Sequence, residues 1–509
     1  MSFRYHIRLV ARARGRRLKP HRPPALCLPS ADCLSLARFR EYVREAGETL
    51  SRDQLVIIGG VAAGLAAAME ARRAAPDLSI TVLEKTGDIS YGACGLPYVI
   101  SGRIASLESL IAHPPEYFRE HHHIDLRLHS EALEIAPARS LVRARLDGEE
   151  REIGYTSLIL ATGAAAICPP LPGHELEGVF VLRHLGDGRR MLRFIEEARP
   201  RAAVVVGAGY IGLEMAEAFR ERGLRTTLVE ASDKVMGALG GRARDLVVEE
   251  LRGHGVEMIF GERVAAFEDG GGGRVGRVVT ETGRVVEADV VSIGVGVRPE
   301  VELARGAGLE MGESGAVVTD ERQRTSAAGI YAAGDCCEVI NRVSGRRVWH
   351  PLGQPAVRQG WVAGANAAAA GGSFGGGGAA EARYAGVVGT NVVKVFGLEV
   401  ARTGLSLEEA REAGFDAAET SDETASRAGY YAGGSNIFTA LVSEQTGRLL
   451  GAQMVGREGV AQRIDVYAAA LHAALRTDDI ERLDLAYAPP FAPTIDPILR
   501  AAHKARRRG

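Results

Sequence analysis

The feature that most constrains the fold of this 509-residue chain is a glycine-turn pattern that occurs twice. The first copy, QLVIIGGVAAGLAAAMEARRAAPDLSITVLEK (54–85), contains an apolar strand, a glycine turn, an Ala-rich helix and a second strand. The second copy, AAVVVGAGYIGLEMAEAFRERGLRTTLVEAS (202–232), has the same order of elements. Two such units predict parallel α/β sheets, each with a glycine turn at one edge.

The glycine spacing predicts that both turns bind the pyrophosphate of a dinucleotide. Glycines let a pyrophosphate approach the N-terminus of the following helix, where free N–H groups and the helix dipole favour negative charge. The first turn has Gly59 and Gly64 but carries Val61 where the middle glycine is expected. The second turn has the complete spacing, and its predicted contacts are Gly207, Gly209, Tyr210, Ile211 and Gly212.

A glutamate follows or ends the second strand of each unit, at Glu84 and Glu230. A carboxylate in this position accepts hydrogen bonds from ribose hydroxyls. Because it repels a 2′-phosphate, and because no arginine follows Glu230 closely, the second unit favours NADH over NADPH. Two dinucleotides in one chain indicate electron transfer between them, most simply from NADH to FAD.

Two further segments favour FAD as the first dinucleotide. The segment TSAAGIYAAGD (325–335) is a predicted strand that ends in Gly334 and Asp335, whose carboxylate is placed to bind the ribityl hydroxyls. An ATG triplet at 161–163 marks a position where the chain crosses between domains.

These motifs, in this order, resemble those of the two-dinucleotide flavoprotein disulfide reductases, from about residue 53 to the end of the chain. The resemblance implies an α/β fold with two Rossmann-like dinucleotide-binding domains, an FAD domain with an NAD domain inserted in it, and an α+β C-terminal dimerisation domain. The implied divisions are a basic, disordered extension (1–52), the first part of the FAD domain (53–170), the NAD domain (171–290), the second part of the FAD domain (291–368), a Gly-rich linker (369–382) and the dimerisation domain (383–509).

The resemblance also extends the predicted cofactor sites. The segment HPLGQPAVRQG (350–360) looks like the one in which the chain returns to the flavin. The additional contacts implied are Lys85, Ala161, Thr162, Gly163, Pro351, Leu352 and Ala356 for FAD, and Gly296 for NAD.

A lone cysteine, Cys94, lies in the segment SYGACGLPYVISG (90–102). Most reductases of this group carry two redox cysteines a few residues apart. The sequence therefore resembles the single-cysteine branch, which contains NADH peroxidases, NADH oxidases, coenzyme A disulfide reductases and persulfide or polysulfide reductases. In that branch the cysteine lies next to the flavin and cycles through a mixed disulfide or a sulfenic acid. A cysteine at a helix N-terminus has a lowered pKa, which predicts a reactive thiolate at Cys94.

The first glycine turn separates the members of this branch. Peroxidases and oxidases of the family carry a histidine there, whereas this turn reads GGVAAG and looks like that of coenzyme A disulfide reductases. The segment MEARR (69–73) matches the place where those reductases bind the coenzyme's phosphates, which implies substrate contacts from Arg72 and Arg73. Ser90 is a further substrate candidate. Ala93 departs from the pattern, because those reductases often have asparagine just before the cysteine.

Tyrosines near the C-terminus complete the implied site. The segment LAYAPPFAPTIDP (485–497) resembles a motif in which a tyrosine of one subunit reaches the other subunit's cysteine, and Tyr487 is the matching residue. The segment AGYYAGGSN (428–436) resembles the site of a second such tyrosine, which is either Tyr430 or Tyr431. A phenol, with an ordinary pKa of about 10, protonates a departing thiolate. A homodimer is therefore part of the implied active site.

Composition and charge argue against other classes of protein. The net charge of −2 at pH 7 does not indicate binding to nucleic acid or to an anionic membrane, and no apolar run reaches the roughly 18 residues of a membrane span. Six scattered cysteines do not form a disulfide framework, and the vicinal Cys336 and Cys337 are expected to be packed thiols. Three consecutive histidines (121–123) cannot all face one metal ion. We expect a cytoplasmic protein without a metal site.

The sequence thus predicts an FAD-dependent NADH:disulfide oxidoreductase that reduces coenzyme A disulfide, or a related small disulfide or persulfide, through Cys94. Three alternatives stay open. They are an NADH oxidase that uses a cysteine sulfenate, a polysulfide reductase and a non-enzymatic redox sensor.

Overall fold

Three five-stranded sheets organise the part of the chain that the structure describes. The computed structural model describes residues 54–370 and 382–506. The predicted basic extension (1–52) and all but the ends of the predicted Gly-rich linker (369–382) lie outside the described residues.

The first sheet is built on the first strand–turn–helix–strand unit. Its strands, in spatial order, are Ile330–Ala332, Ser157–Leu160, Gln54–Ile58, Ser79–Leu83 and Asp125–Arg127, all parallel. The central strand is apolar after its first residue and is buried, as expected for a sheet covered on both faces. Helices Ala62–Ala74 and Gly353–Ala370 pack closely on each other, since a Cβ on Gly360 would lie only 2.3 Å from the Ala63 carbonyl oxygen.

Smaller elements surround the first sheet. An antiparallel sheet is formed by strands Glu131–Ala136, Leu141–Leu146 and Glu149–Gly154. A two-stranded ribbon pairs Val339–Ile340 with Arg347–Val348. The short helices and turns are Ala93–Gly95, Leu96–Ser101, Glu108–Leu110, Tyr117–His121, Pro137–Arg139 and Glu302–Gly306.

The second sheet is built on the second strand–turn–helix–strand unit. Its parallel strands, in spatial order, are Val256–Phe260, Arg225–Glu230, Ala202–Val206, Val290–Ile293 and Val179–Val181. Its helices are Leu185–Ala198, Tyr210–Glu221 and Gly241–Gly253. An antiparallel sheet of strands Val264–Gly271, Arg274–Thr280 and Val285–Glu287 extends it.

The chain enters and leaves the second sheet through one antiparallel strand pair. Outgoing strand Ala164–Ala166 pairs with returning strand Val297–Pro299. The second sheet continues to Ile293, three residues past the predicted division at residue 290.

The third sheet is antiparallel and lies in the C-terminal part. Its strands, in spatial order, are Asn391–Val395, Leu398–Gly404, Leu449–Gly456, Asn436–Glu444 and Ala417–Ala425. Its helices are Leu407–Glu412, Val460–His472, Thr477–Glu481 and Pro497–Arg506. Among the described helices, none is long and apolar enough to cross a bilayer.

The hairpin turn at Phe396 and Gly397 joins the third sheet to the helices of the second. The Phe396 N–H donates to Glu217 Oε2 (2.7 Å) and the Gly397 N–H donates to Glu250 Oε1 (2.9 Å). Both carboxylates are buried. The Phe396 ring also stacks on His254, with 4.1 Å between ring centroids. Backbone donors on buried carboxylates therefore fix the position of this turn.

Replacing Glu250 with alanine is expected to destabilise the protein by about 2 kcal/mol, because the change leaves the Gly397 N–H and Arg457 without their acceptor. Urea denaturation of the FAD-loaded protein measures this. Glu249→Ala on the same helix is the control, since Glu249 forms an exposed ion pair with Arg242, whose loss costs less than about 1 kcal/mol. Equal losses in the two variants would contradict the role assigned to the turn.

Candidate active site

The two glycine turns have the same backbone geometry. Gly59 and Gly207 have φ of +109° and +102°, and a Cβ on either would lie 2.2 Å and 2.5 Å from the carbonyl oxygens of Ala161 and Gly294. In each turn the last glycine faces the first: a Cβ on Gly64 would lie 1.8 Å from the Gly59 carbonyl oxygen, and the Gly212 position is equivalent. The internal packing of each turn thus requires these glycines.

Open space beside the turns fits the predicted dinucleotides. A Cβ on Gly209, the middle glycine of the second turn, would meet no described atom within 4 Å. The same holds for Gly163, at the end of the first sheet, and for Gly92, two residues before the lone cysteine. At Gly209 and Gly92, where φ is not positive, the chain thus leaves room for a ligand close to the backbone.

The predicted ribose-binding carboxylates are held by their own turns. Glu84 accepts from the Gly60 N–H at Oε2 (2.8 Å) and from the Thr86 N–H and hydroxyl at Oε1. Glu230 accepts in the same way from the N–H groups of Ala208 and Ser232. A carboxylate has about four acceptor sites. Each glutamate is therefore oriented with acceptor capacity left for a ribose hydroxyl.

Several predicted FAD contacts come together although they are far apart in sequence. Gly334 lies against both the first helix and the returning segment, because a Cβ there would meet Ala63 Cβ at 2.9 Å and Ala356 Cβ at 3.5 Å. Pro351 and Leu352 precede the helix that carries Ala356. The structure thus gathers three of the predicted segments around the first turn.

Other predicted residues have partners within the chain. Lys85 forms an ion pair with Glu300 (3.1 Å), whose carbonyl accepts from the Thr162 hydroxyl. Gly296 has φ of +115° and follows the second sheet. These positions lie at the crossover between the two parallel sheets.

Asp335 has partners that the sequence analysis missed. Arg183 donates to its Oδ2 at 2.7 Å, and Trp349 Nε1 donates to its carbonyl at 2.8 Å. Gln359 accepts from the Gly334 N–H at 2.6 Å. Arg183 lies outside every recognised motif and about 150 residues from its partner, so no local pattern indicates it.

Cys94 is a free, exposed cysteine in the turn Ala93–Gly95, directly before helix Leu96–Ser101. A Cβ on Gly95 would lie 2.3 Å from Leu110 Cδ2, so the turn packs tightly against its neighbour. Ser90 has φ of +51°, and its N–H points to the Gly60 carbonyl of the first turn (3.4 Å). The cysteine segment is thus attached to the first glycine turn.

The electrostatics of Cys94 differ from the sequence prediction. Although the residue is exposed, desolvation by surrounding protein raises the pKa of its thiol, and the charge on Glu214 raises it further. Arg183 acts in the opposite direction. The prediction of a lowered pKa is therefore wrong for the protein chain alone, because desolvation and the charge on Glu214 outweigh the effect of Arg183.

The structure distinguishes the two candidate tyrosines of the 428–436 segment. The hydroxyls of Tyr430 and Tyr487 lie 3.1 Å apart, and both side chains are exposed. Their shared hydrogen bond raises the pKa of Tyr430 and lowers that of Tyr487. Tyr431 instead lies under the Arg427 guanidinium, 5.8 Å from the ring centroid.

The predicted substrate arginines are engaged by the chain. Arg72 donates to the backbone carbonyls of Pro76, His122 and His123. Arg73 is exposed and forms an ion pair with Glu70. The structure therefore gives Arg72 a structural role that the sequence did not indicate, and only Arg73 keeps an exposed guanidinium at this position.

The other described cysteines are free thiols, two of them buried and one exposed. Cys336 and Cys337 are buried and free, as expected for packed thiols. Cys168 is free and exposed. Within the described ranges, no three potential ligands are grouped so as to hold a metal ion.

Two parallel sheets with matching glycine turns, and an exposed cysteine whose segment contacts one of them, are the features expected of an oxidoreductase with two dinucleotide sites. The chain belongs to the pyridine nucleotide-disulphide oxidoreductase family, whose model matches residues 53–360. The model of that family's dimerisation domain matches residues 390–497. The predicted family and fold class are therefore confirmed, and the family uses FAD and NAD(P)H.

Three relatives with named activities are similar to this chain over most of its length. The chain is 39% identical over 450 residues to the CoA-dependent NAD(P)H sulfur oxidoreductase of Pyrococcus abyssi. The aligned region covers 88% of this chain and 97% of the relative. It is 34% identical over 458 residues to an NADH oxidase of Methanocaldococcus jannaschii (89% and 98%). It is 30% identical over 457 residues to the coenzyme A disulfide reductase of Staphylococcus haemolyticus (89% and 99%).

A solved structure shows the same fold. The NAD-dependent persulfide reductase from A. fulgidus superposes with a TM-score of 0.84 and 38% identity, covering 89% of this chain and 83% of that one.

Proposed function

We propose that this protein is an FAD-dependent NADH reductase of coenzyme A disulfide or of a related small disulfide or persulfide. One observation carries the proposal: Cys94 is free and exposed, and its segment is attached to the first glycine turn. The relatives named for coenzyme A-dependent sulfur chemistry support the same substrate class.

Cys94 performs the thiol chemistry. When bound, NADH supplies a hydride, and FAD at the first turn relays its two electrons. The Cys94 thiolate attacks one sulfur of the substrate disulfide, forms a mixed disulfide and expels the other half as a thiolate, which takes up a proton. Two electrons then cleave the mixed disulfide, which restores the Cys94 thiolate and expels the second half as a thiolate. The proton that remains when a hydride gives up its two electrons converts this second half to a thiol. The sum is one disulfide, one NADH and one proton converted to two thiols and NAD⁺.

The tyrosine pair supplies the proton in this proposal. The dimerisation domain indicates a homodimer, in which the partner subunit's Tyr487 reaches Cys94 and protonates the departing thiolate. Its hydrogen bond with Tyr430, together with the lowered pKa of Tyr487, supports Tyr487 as the donor and Tyr430 as the residue that orients it. Tyr431 has no such bond to Tyr487.

We expect Tyr487→Phe to lower kcat for coenzyme A disulfide by about 100-fold, since a positioned acid contributes that much or more. Tyr430→Phe is expected to lower it by about 10-fold, because its phenol only orients Tyr487. Steady-state NADH consumption under nitrogen measures both, and gel filtration checks that the dimer persists. Tyr431→Phe is the matched control and should keep wild-type kcat; a larger loss in Tyr431→Phe than in Tyr430→Phe would reverse the assignment.

The acceptor panel tests the proposal as a whole. The purified, FAD-loaded protein is given NADH under nitrogen with coenzyme A disulfide, coenzyme A persulfide or polysulfide, and then oxygen alone. Turnover with a coenzyme A substrate supports the proposal. Turnover with oxygen alone would instead favour an NADH oxidase. This function is the second candidate, because the relative from Methanocaldococcus jannaschii is named an NADH oxidase. Val61, Ala62 and Ala63 in the first turn weigh against that candidate, because they supply no acid–base group there.

A further inference from the structure

Two adjacent helices connect the second glycine turn to Cys94. Helix Leu96–Ser101 follows the cysteine, helix Tyr210–Glu221 follows the turn, and the two pack together. Arg222 Nε donates to the Ile100 carbonyl, and Arg103 forms an ion pair with Glu221. These bonds fix the two helices against each other.

Between the helices lies a carboxyl group with a neutral partner. The Tyr98 hydroxyl donates to Glu214 Oε1 at 3.1 Å, and both side chains are half-buried. Within the part of the chain that the structure describes, this is the one hydrogen bond of the Glu214 carboxyl, which forms no ion pair. Lys394 and Arg103 bind the carboxylates of Glu217 and Glu221 on the same helix instead. Glu214 is therefore a half-buried acid without a cation bound to it.

The surroundings of Glu214 keep its carboxyl group protonated up to neutral pH. Desolvation raises the pKa of Glu214 to about 7, and the charge on Glu217 adds to this effect. The Tyr98 hydrogen bond and the charge of Lys394 act in the opposite direction. Below pH 7 the group is mainly neutral, and above pH 7 it is mainly a carboxylate.

Cys94 responds to the same carboxyl group. Of the charges that act on the thiol, Glu214 is the strongest; it raises the pKa of Cys94, Asp335 adds to it and Arg183 opposes it. Tyr98 lies one helical turn after Cys94 and has its own pKa raised, first by desolvation and then by Glu214. A thiolate and a carboxylate placed this way destabilise each other.

We propose that Glu214, held by Tyr98 between the two helices, is a positioning residue that controls when Cys94 becomes a thiolate. While Glu214 is protonated, Cys94 ionises with less opposition; once Glu214 is a carboxylate, the thiol keeps its proton to a higher pH. This inference rests on the proposed function, in which Cys94 is the redox residue. It adds a regulatory group that belongs to the helix of the second glycine turn.

The test measures alkylation of Cys94 against pH. FAD-loaded enzyme is treated with dithiothreitol, desalted under nitrogen and reacted with iodoacetamide. Mass spectrometry then quantifies the Cys94 peptide separately, because Cys168 is also exposed. Glu214→Gln is expected to shift the midpoint of the alkylation profile down by about one pH unit, which makes alkylation about tenfold faster at pH 8.

Two further variants separate charge from structure. Tyr98→Phe removes the bond that stabilises the Glu214 carboxylate, so it should speed alkylation at pH 7.5 and leave the rate at pH 9.5 unchanged. Glu249→Gln makes the same charge change on helix Gly241–Gly253, where Glu249 forms an exposed ion pair with Arg242, and should keep the wild-type profile. An unshifted Glu214→Gln profile, or a Tyr98→Phe effect equal at both pH values, would overturn the proposal.

The outcomes also separate this inference from the proposed function, because alkylation involves no turnover. A shifted Glu214→Gln profile in a protein whose Cys94→Ser variant keeps full disulfide reductase activity would reject the proposed function and sustain the charge coupling. An unshifted profile with an inactive Cys94→Ser variant would reject this inference alone.

Discussion

Replacing Cys94 with serine is expected to lower NADH-driven reduction of coenzyme A disulfide by about 10³-fold or more. Serine cannot form the mixed disulfide, so the substrate loses its covalent route to the electrons. The chain should tolerate the change, since Cys94 is exposed and makes no disulfide. NADH consumption under nitrogen measures the loss, and single-turnover bleaching of FAD by NADH should stay at the wild-type rate.

Cys168→Ser is the matched control for this substitution, because Cys168 is the other exposed free cysteine in residues 54–370 and 382–506. It should keep full activity with every acceptor. Retained turnover in Cys94→Ser, with coenzyme A disulfide as the sole acceptor, would falsify the assignment of Cys94 as the redox residue. Loss of activity in both variants would show that the substitutions act through stability instead.

The glycine turns were predictable from the sequence because their constraints are local. Gly59 and Gly64 lie five positions apart and face each other, so their spacing in the sequence directly indicates the close approach. The repeated unit also determines which strands are parallel, so the fold class followed from two short segments. Valine at the middle position of the first turn did not disturb this geometry.

The contacts that tune the site were not predictable, because they join distant segments. Arg183 reaches Asp335 across 152 positions, and Tyr98 reaches Glu214 across 116. Neither pair belongs to a motif with a fixed spacing, so no local pattern in the sequence indicates either contact. Only the packing of the two parallel sheets brings them together.

Arg72 shows how tertiary structure can override a local motif. The MEARR segment carries two adjacent arginines, and sequence alone gives no reason to separate them. In the structure, the Arg72 guanidinium donates to three backbone carbonyls. Arg73, at the same helix end, lies at the surface. The chain needs those donors because carbonyls at the end of a helix and in a loop require partners.

Replacing Gly212 with alanine is expected to lower NADH-driven activity with every acceptor by about 100-fold or more. The added Cβ would lie 1.9 Å from the Gly207 carbonyl oxygen. Both are backbone positions in one tight turn, so neither moves without displacing the strand or the helix. The helix concerned also carries Glu214 and packs beside Cys94, so the damage extends to the thiol site. Stopped-flow mixing of NADH with the FAD-loaded variant, beside urea denaturation, measures the effect.

Two other glycines beside the second sheet test whether steric contact causes the loss of activity in Gly212→Ala. Gly253→Ala, at the end of a helix where a Cβ meets no described atom within 4 Å, should leave activity and stability unchanged. Gly209→Ala is equally free of contacts in the chain, so it should fold normally. Its methyl group would, however, occupy the open space assigned to the pyrophosphate, and we expect KM for NADH to rise about tenfold. A Gly212→Ala protein with wild-type kinetics would show that the turn relaxes, and a Gly209→Ala protein with unchanged KM would place the dinucleotide elsewhere.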